Sequence, residues 1–211
     1  MGIDKVVVIG AGTMGAGIAQ VCAQSGWNTI LYDAFTEGLE KGMQRIDAFW
    51  DKGIARGKTT VQQKQEWSKN LHAEPNLENA VNGCDLIIEA VPEILELKQK
   101  IFQEVEQYAS EQAVFATNTS SLSIGKIASA INHPERLIGM HFFNPVPIMK
   151  LLELVKHDNT SDATVSIAKE AGSTMQKTTI LVNDIPGFAT SRLGVVLGNE
   201  AIRMLADGVA S

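Results

Sequence analysis

The feature that most constrains this chain is its opening, where an apolar run, Val6-Val7-Val8-Ile9, passes straight into Gly10-Ala11-Gly12-Thr13-Met14-Gly15 and then into an amphipathic stretch. Glycines so placed let a chain leave a buried strand, turn sharply and start a helix packed closely on that strand. A helix started this way leads back to a second, parallel strand, because that is how a βαβ crossover closes. Short apolar runs then alternate with helical spacings along the chain, which predicts an α/β fold with a doubly wound, Rossmann-type, mainly parallel sheet.

The spacing predicts strands at Lys5–Ile9, Thr29–Tyr32, Leu86–Glu89, Val114–Thr117, Leu137–His141, Leu151–Val155 and Thr179–Leu181. Helices are predicted at about Met14–Gln24, Thr36–Lys52, Val61–Lys69, Ile94–Tyr108, Ile124–Ile131 and Asp162–Met175. Several strands are apolar at successive positions, as expected when helices cover both faces of the sheet. The stretch Ala34–Leu71 is too long for one crossover helix. It reads as a helical-hairpin insertion with Lys52, Arg56 and Lys58 at the bend, a charged arm over the site.

The turn-forming cluster Asn183-Asp184-Ile185-Pro186-Gly187 sets a domain boundary at about residue 186. Residues 1–186 are expected to form the sheet domain. Residues 187–211 are expected to begin an incomplete all-α C-terminal domain, of which the chain holds the first helix, Phe188–Ala206. Leu193, Val196, Leu197, Ile202 and Leu205 recur on it at helical spacing and require a partner surface.

A formal net charge of −6 supplies no global positive field for nucleic acid, so an anionic ligand must be captured locally. No apolar stretch reaches the length of a membrane span, and the N-terminus lacks the basic region of an export signal. Position 6 is Val6 where an N-myristoylation motif needs Ser or Thr, and a soluble cytoplasmic protein is expected. Cys22 and Cys84 belong to no metal-type cluster and read as small buried hydrophobes, so no metal is expected.

Following a strand and opening a helix, the glycine loop has the context of a dinucleotide site, with free N–H groups and the helix dipole facing a pyrophosphate. Gly10 permits the turn, Gly12 the approach of the pyrophosphate and Gly15 the close helix packing, with Ala11, Thr13 and Met14 completing the loop. Asp33 ends the second strand 18 residues after Gly15. A carboxylate there accepts from ribose hydroxyls and repels a 2′-phosphate, which favours NAD(H) over NADP(H). His141 ends a predicted strand, the edge where open α/β sheets place ligands. The turn Asn144-Pro145-Val146-Pro147 then returns Glu153 beside it, where a carboxylate fixes the imidazole tautomer. His72, His133 and His157 read as structural or solvated.

With Asn118-Thr119-Ser120-Ser121 followed 21 residues after Ser120 by His141-Phe142-Phe143-Asn144-Pro145, the chain resembles the 3-hydroxyacyl-CoA dehydrogenase family over essentially its whole length. That resemblance implies NAD-dependent oxidation of an (S)-3-hydroxyacyl-CoA to the 3-ketoacyl-CoA in fatty-acid or butanoate metabolism. It implies His141 as general base, Glu153 as its orienting partner and Ser120 as a hydrogen-bond donor to the reacting oxygen. Glu93, Lys98, Ser120 and Asn144 match cofactor-contacting positions, and Lys98 also faces the CoA. The family's helical hairpin binds the CoA tail, which makes Lys52, Arg56 and Lys58 candidates for its phosphates. The resemblance further implies a homodimer formed through the C-terminal helical domain.

One position departs from the family pattern. Where many members have an asparagine acting on the substrate carbonyl, Pro186-Gly187-Phe188-Ala189-Thr190-Ser191-Arg192 places Ser191, whose hydroxyl can still donate one hydrogen bond. Two other classes stay open on the residues alone. One is a dehydrogenase of free hydroxy acids, which competition between free acid and thioester distinguishes. The other is an NAD-binding protein without turnover, against which the intact Ser120, His141 and Glu153 set argues.

Overall fold

In the computed structural model, which describes residues 2–209, the chain begins β1 (Lys5–Ile9), α1 (Thr13–Gln24), β2 (Asn28–Tyr32), α2 (Thr36–Ala55) and α3 (Val61–Lys69). It continues β3 (Leu71–Ala73), α4 (Leu77–Val81), β4 (Leu86–Glu89), α5 (Leu95–Tyr108), β5 (Val114–Thr117) and α6 (Ile124–Ala128). After a 3-10 turn at Pro134–Arg136 come β6 (Leu137–Phe142), β7 (Leu151–Lys156), α7 (Asp162–Thr174), β8 (Thr178–Asn183) and α8 (Thr190–Ala206). Met1 and the last two residues of the predicted C-terminal segment, 210 and 211, lie outside the described residues.

The strands form one 8-stranded sheet in the order β3-β2-β1-β4-β5-β6-β7-β8. All pairings are parallel except β6 with β7. Because β1 has β2 on one side and β4 on the other, the order reverses there, and the carboxyl ends of β1, β4, β5 and β6 share one edge. Such a reversal opens a crevice above the sheet.

Continuous apolar strands arise because each face has its own core. Val6 and Val8 join the cluster that contains α1, α2 and α7 residues, whereas Val7 and Ile9 join the one that contains α4, α5 and α6 residues. A parallel strand buried on both faces has no solvent side on which to place polar residues.

Every predicted strand and helix is present, with ends moved by a few residues. Two elements are additional. Strand β3 has three residues and two of them, His72 and Ala73, are exposed, so it carries no apolar alternation to read. Helix α4 has only five residues, too few for a helical period to register. The hairpin differs from the projecting arm expected of it: α2 buries Leu39, Ile46 and Trp50, while Trp50 and Trp67 hold α2 to α3 with ring centroids 6.0 Å apart. A Cβ at Gly42 would lie 2.7 Å from the Ala11 Cβ, so the helix rests on the glycine turn itself. Among the described residues helix α3 buries none of its side chains, and Lys52, Arg56 and Lys58 at the bend stand exposed. Helix α8 buries none of its side chains among the described residues, and Leu193, Val195, Leu197 and Ile202 are each more than half exposed.

Candidate active site

The crevice begins at the glycine turn. Gly10 has φ +100°, in the left-handed region, and a side chain there would also meet the Ala90 carbonyl oxygen at 2.9 Å. At Gly15 a Cβ would lie 1.7 Å from the Gly10 carbonyl oxygen, so helix and strand could not pack with any larger residue. Gly12 is the opposite case, since a Cβ at that position would meet nothing within 4 Å and the backbone faces open space. That opening belongs to a cavity of about 650 Å³ lined by Gly10, Gly12, Thr13, Met14, Asp33 and, on the far wall, Val91, Leu97 and Ile101. An apolar slot ending on exposed amides suits an adenosine with its diphosphate.

Asp33 serves the turn as well as the cavity. Its Oδ2 accepts from the Ala11 amide at 2.7 Å and its Oδ1 from the Phe35 amide at 3.0 Å, which ties the glycine turn to the start of α2. Each carboxylate oxygen keeps a further lone pair for a ribose hydroxyl. Ala11 is therefore committed to the fold: it is buried, its amide bonds Asp33 and its Cβ faces Gly42. These residues fit NAD.

At the same edge, the antiparallel register sets His141 directly opposite Glu153. The imidazole Nδ1 lies 2.9 Å from Glu153 Oε2, both side chains being almost wholly buried. Glu153 also accepts from the amides of Ala189 and Thr190 at 2.9 and 3.1 Å on Oε1, and from the Thr190 hydroxyl at 2.7 Å on Oε2. Burial pushes the Glu153 carboxyl upward, but these donors more than offset it and hold the group below the ordinary carboxylate value. An ionised Glu153 fixes the imidazole proton on Nδ1 and leaves the Nε2 lone pair free to take a proton. Among the described residues no hydrogen bond engages Nε2, and the ring is flanked by Phe143 and Phe188 at centroid distances of 4.6 and 6.1 Å.

Ser120 stands just past β5, beside this pair. Its carbonyl accepts from the Ser191 hydroxyl at 3.2 Å, so one path of contacts runs Ser120, Ser191, Thr190, Glu153, His141. Its amide donates to Glu93 Oε1 at 2.9 Å, and Glu93 also accepts from the Thr119 hydroxyl and the Ser121 amide. Burial alone would raise the Glu93 carboxyl, yet Thr119, Lys98 and the Ser120 amide together lower it. The hydroxyl of Ser120 stays free of the helix that follows, because Ser123 caps α6 by accepting from the Lys126 amide.

Lys98 differs from expectation. A direct contact of its ammonium with CoA does not match its position, since the side chain is 1% exposed. Its Nζ lies 2.7 Å from Glu89 Oε1, 3.4 Å from Glu93 Oε2 and 3.3 Å from the Val91 carbonyl. Glu89 in turn accepts from the Thr117 hydroxyl and the Val91 amide, so Lys98 acts on the site through the loop that Glu93 holds.

Known proteins resemble this chain. The family model of the 3-hydroxyacyl-CoA dehydrogenase NAD-binding domain matches residues 5–185. The chain belongs to the 3-hydroxyacyl-CoA dehydrogenase family. Its members are NAD-dependent oxidoreductases. A probable 3-hydroxybutyryl-CoA dehydrogenase of Bacillus subtilis is 37% identical over 210 residues, covering 100% of this chain and 73% of its own. The mitochondrial hydroxyacyl-coenzyme A dehydrogenase of Rattus norvegicus is 39% identical, with 99% and 68% covered. Among solved structures, (S)-3-hydroxybutyryl-CoA dehydrogenase from Ralstonia eutropha superposes with a TM-score of 0.95 at 36% identity, over 99% of this chain and 74% of that one.

Some members of this dehydrogenase's site, such as Asn144 and the hairpin-bend cations, are legible in the sequence, and others escape it. Asn144 lines a small cavity with Thr13, Gly17, Arg45 and Phe49, between the glycine turn and α2. Beyond it a larger cavity of about 640 Å³ gathers Lys52, Arg56 and Lys58 from the hairpin bend with Lys150 and Lys177. The two added lysines precede β7 and β8, and only the fold brings them to the bend. Two buried donors without a partner among the described residues, Gln20 Nε2 and Trp50 Nε1, belong to residues lining the same cavity. Thr190 is adjacent to the position read at Ser191, and its Ser/Thr character beside a Pro-Gly-Phe segment is the available signal. The other histidines take the roles expected: His72 and His133 are exposed, and His157 is buried with Nε2 3.0 Å from the Pro134 carbonyl. Both thiols are buried, which pushes Cys22 and Cys84 up to about 12. No described helix is long and apolar enough to cross a membrane.

Proposed function

We propose that the protein interconverts (S)-3-hydroxyacyl-CoA and 3-ketoacyl-CoA thioesters with NAD(H), with His141 as the general base. The observation that carries this reading is the His141 Nδ1 to Glu153 Oε2 contact of 2.9 Å at the sheet edge where the glycine turn opens. His141 Nε2 takes the proton of the 3-hydroxyl, and Glu153 stabilises the imidazolium that results. Bound NAD supplies the hydride acceptor. The Ser120 hydroxyl donates to the 3-oxygen, Ser191 holds the Ser120 loop, and Asn144 lies between cofactor and thioester.

The chemistry of the cation-lined cavity suits the phosphates of CoA. Five cations line it with no carboxylate among its residues, and the unpartnered Gln20 and Trp50 donors add to its preference for an anion. Arg45, Phe49 and Pro147 line the smaller cavity between Asn144 and this one, a path for the pantetheine arm. The name borne by the relatives, 3-hydroxybutyryl-CoA dehydrogenase, favours a short acyl chain. On the same reading the boundary falls near residue 186, and residues 187–211 begin a helical unit through which two copies pair.

The test is acetoacetyl-CoA-dependent oxidation of NADH, followed at 340 nm, beside free acetoacetate and beside NADPH. Turnover of the thioester with NADH, at least tenfold faster than either alternative, is expected. Calorimetric binding of NADH with no turnover of any of these substrates would defeat the proposal.

A further inference from the structure

Four donors meet the two oxygens of Glu153, and one of them is a side chain that neither the sequence motif nor the proposed mechanism uses. The Thr190 hydroxyl donates at 2.7 Å to Oε2, the same oxygen that accepts from His141 Nδ1 at 2.9 Å. The other oxygen is filled by the amides of Ala189 and Thr190 at the start of α8. We propose that Thr190 is a positioning residue that weakens the grip of Glu153 on His141, keeping the imidazole a neutral base. This rests on the reading of His141 as the general base.

Two donors compete for one carboxylate oxygen. Every hydrogen bond donated to Oε2 withdraws electron density from it, and a less basic acceptor stabilises an imidazolium less. A Thr190→Val replacement keeps the shape and both amide donors but removes one of the two hydrogen bonds on Oε2. The remaining bond from His141 then carries more of the charge, and protonation of the ring becomes more favourable.

The surroundings leave few rivals for this effect. Glu153 on β7 is the charged group in contact with the ring among the described residues, and the flanking Phe143 and Phe188 are uncharged. Glu93 and Lys98 pair with each other behind the Ser120 loop. Thr190 itself sits where the chain leaves the sheet for α8, after Gly187 and Phe188 at φ +78° and +48°. The entry of α8 is thereby linked to the protonation state of the base.

The test compares wild type, Thr190→Val and Thr190→Ser by NMR titration of the histidine ring signals, with His141→Gln identifying which signal of the four histidines belongs to position 141. In Thr190→Val the His141 midpoint is expected to rise by roughly 0.5 to 1 pH unit, about a three- to tenfold gain in proton affinity. Thr190→Ser is expected to restore the wild-type midpoint, and the acid limb of kcat/KM for NAD-dependent oxidation should move with it. Equal midpoints in wild type and Thr190→Val, at matched thermal stability, would overturn the inference, as would a Thr190→Ser protein that titrates like Thr190→Val. A protein without dehydrogenase activity whose midpoint still rises in Thr190→Val supports the Thr190 inference and refutes only the proposed reaction.

Discussion

Lys98 offers the sharpest test of how the site is built, because its ammonium is buried and its partners are named. Replacing it with methionine keeps the length of the side chain and removes the cation from Glu89 Oε1, 2.7 Å away, and from Glu93 Oε2, 3.4 Å away. Removing one member of a buried ion pair typically costs about 3–5 kcal/mol, because the other charge is left without compensation. Glu89 retains the Thr117 hydroxyl at 2.6 Å and the Val91 amide at 2.7 Å, which places the cost near the lower end, about 3 kcal/mol. For a chain of this size that corresponds to a fall in Tm of roughly 6–12 °C. The control is the double variant Glu89→Gln/Lys98→Met, in which neither charge is buried and the carboxamide can still accept from Thr117. It should recover to within about 1 kcal/mol of wild type, since a buried pair is worth little against neutral groups of similar shape. Urea and thermal unfolding followed by circular dichroism at pH 7 give both numbers. A Lys98→Met protein within about 1 kcal/mol of wild type would refute the buried pairing. So would a double variant whose loss equals the sum of the two single losses.

Four further outcomes follow from the same geometry. His141→Gln should lower kcat for acetoacetyl-CoA reduction by about 100-fold or more while leaving the NADH dissociation constant nearly unchanged, measured by stopped flow and fluorescence titration. Asp33→Asn should weaken NADH binding by roughly 10-fold and narrow the preference over NADPH, because the repulsive charge is gone; an unchanged preference would remove Asp33 from the ribose. Gly10→Ala should cost about 2 kcal/mol or more in urea unfolding, since the turn is left-handed and Ala90 blocks the added methyl. Burial beside Lys150 lowers Lys177 to about 8 from 10.5. A base depressed in the native state binds fewer protons there than when unfolded, so its contribution to stability rises as pH climbs from about 8 towards 10.5. Wild type should therefore gain on Lys177→Met across that window, and a difference independent of pH would refute the assignment.

How far the sequence speaks depends on whether the information is local. Val6-Val7-Val8-Ile9 and Leu86-Ile87-Ile88 read as buried strands because four or three consecutive apolar residues suit a sheet covered on both faces, and the core divides them as required. His141 and Glu153 are legible because they lie twelve residues apart on two strands joined by a short connection, which makes their pairing a short-range matter. Lys98 is not: nothing within helix α5 distinguishes a buried lysine from a solvated one, and the deciding partner, Glu89, lies at the end of a strand nine residues earlier. Lys150 and Lys177 likewise reach the hairpin bend only through the order of strands β7 and β8. Strand β3 owes its existence to the edge of β2, to which it pairs at Thr29, Ile30 and Leu31, rather than to any pattern of its own.

The placement of the catalytic pair is enforced by packing that has no part in the chemistry. Along β6 and β7, Met140, Phe142, Leu152 and Leu154 point to the face covered by α1 and α7, where all four are buried. Their neighbours in the register, His141 and Glu153, therefore point to the other face, towards Phe188 and the start of α8. A slip of one residue in this antiparallel pair would turn Glu153 into the first core and lift Leu152 and Leu154 out of it. A carboxylate turned into that core without its donors costs about 3–5 kcal/mol. That penalty is comparable to the whole stability of many domains, about 5–15 kcal/mol. The distance between the imidazole and its carboxylate is thus held by leucines on the opposite face of the sheet. Mutations there should lower activity by loosening the register before any group at the site is altered.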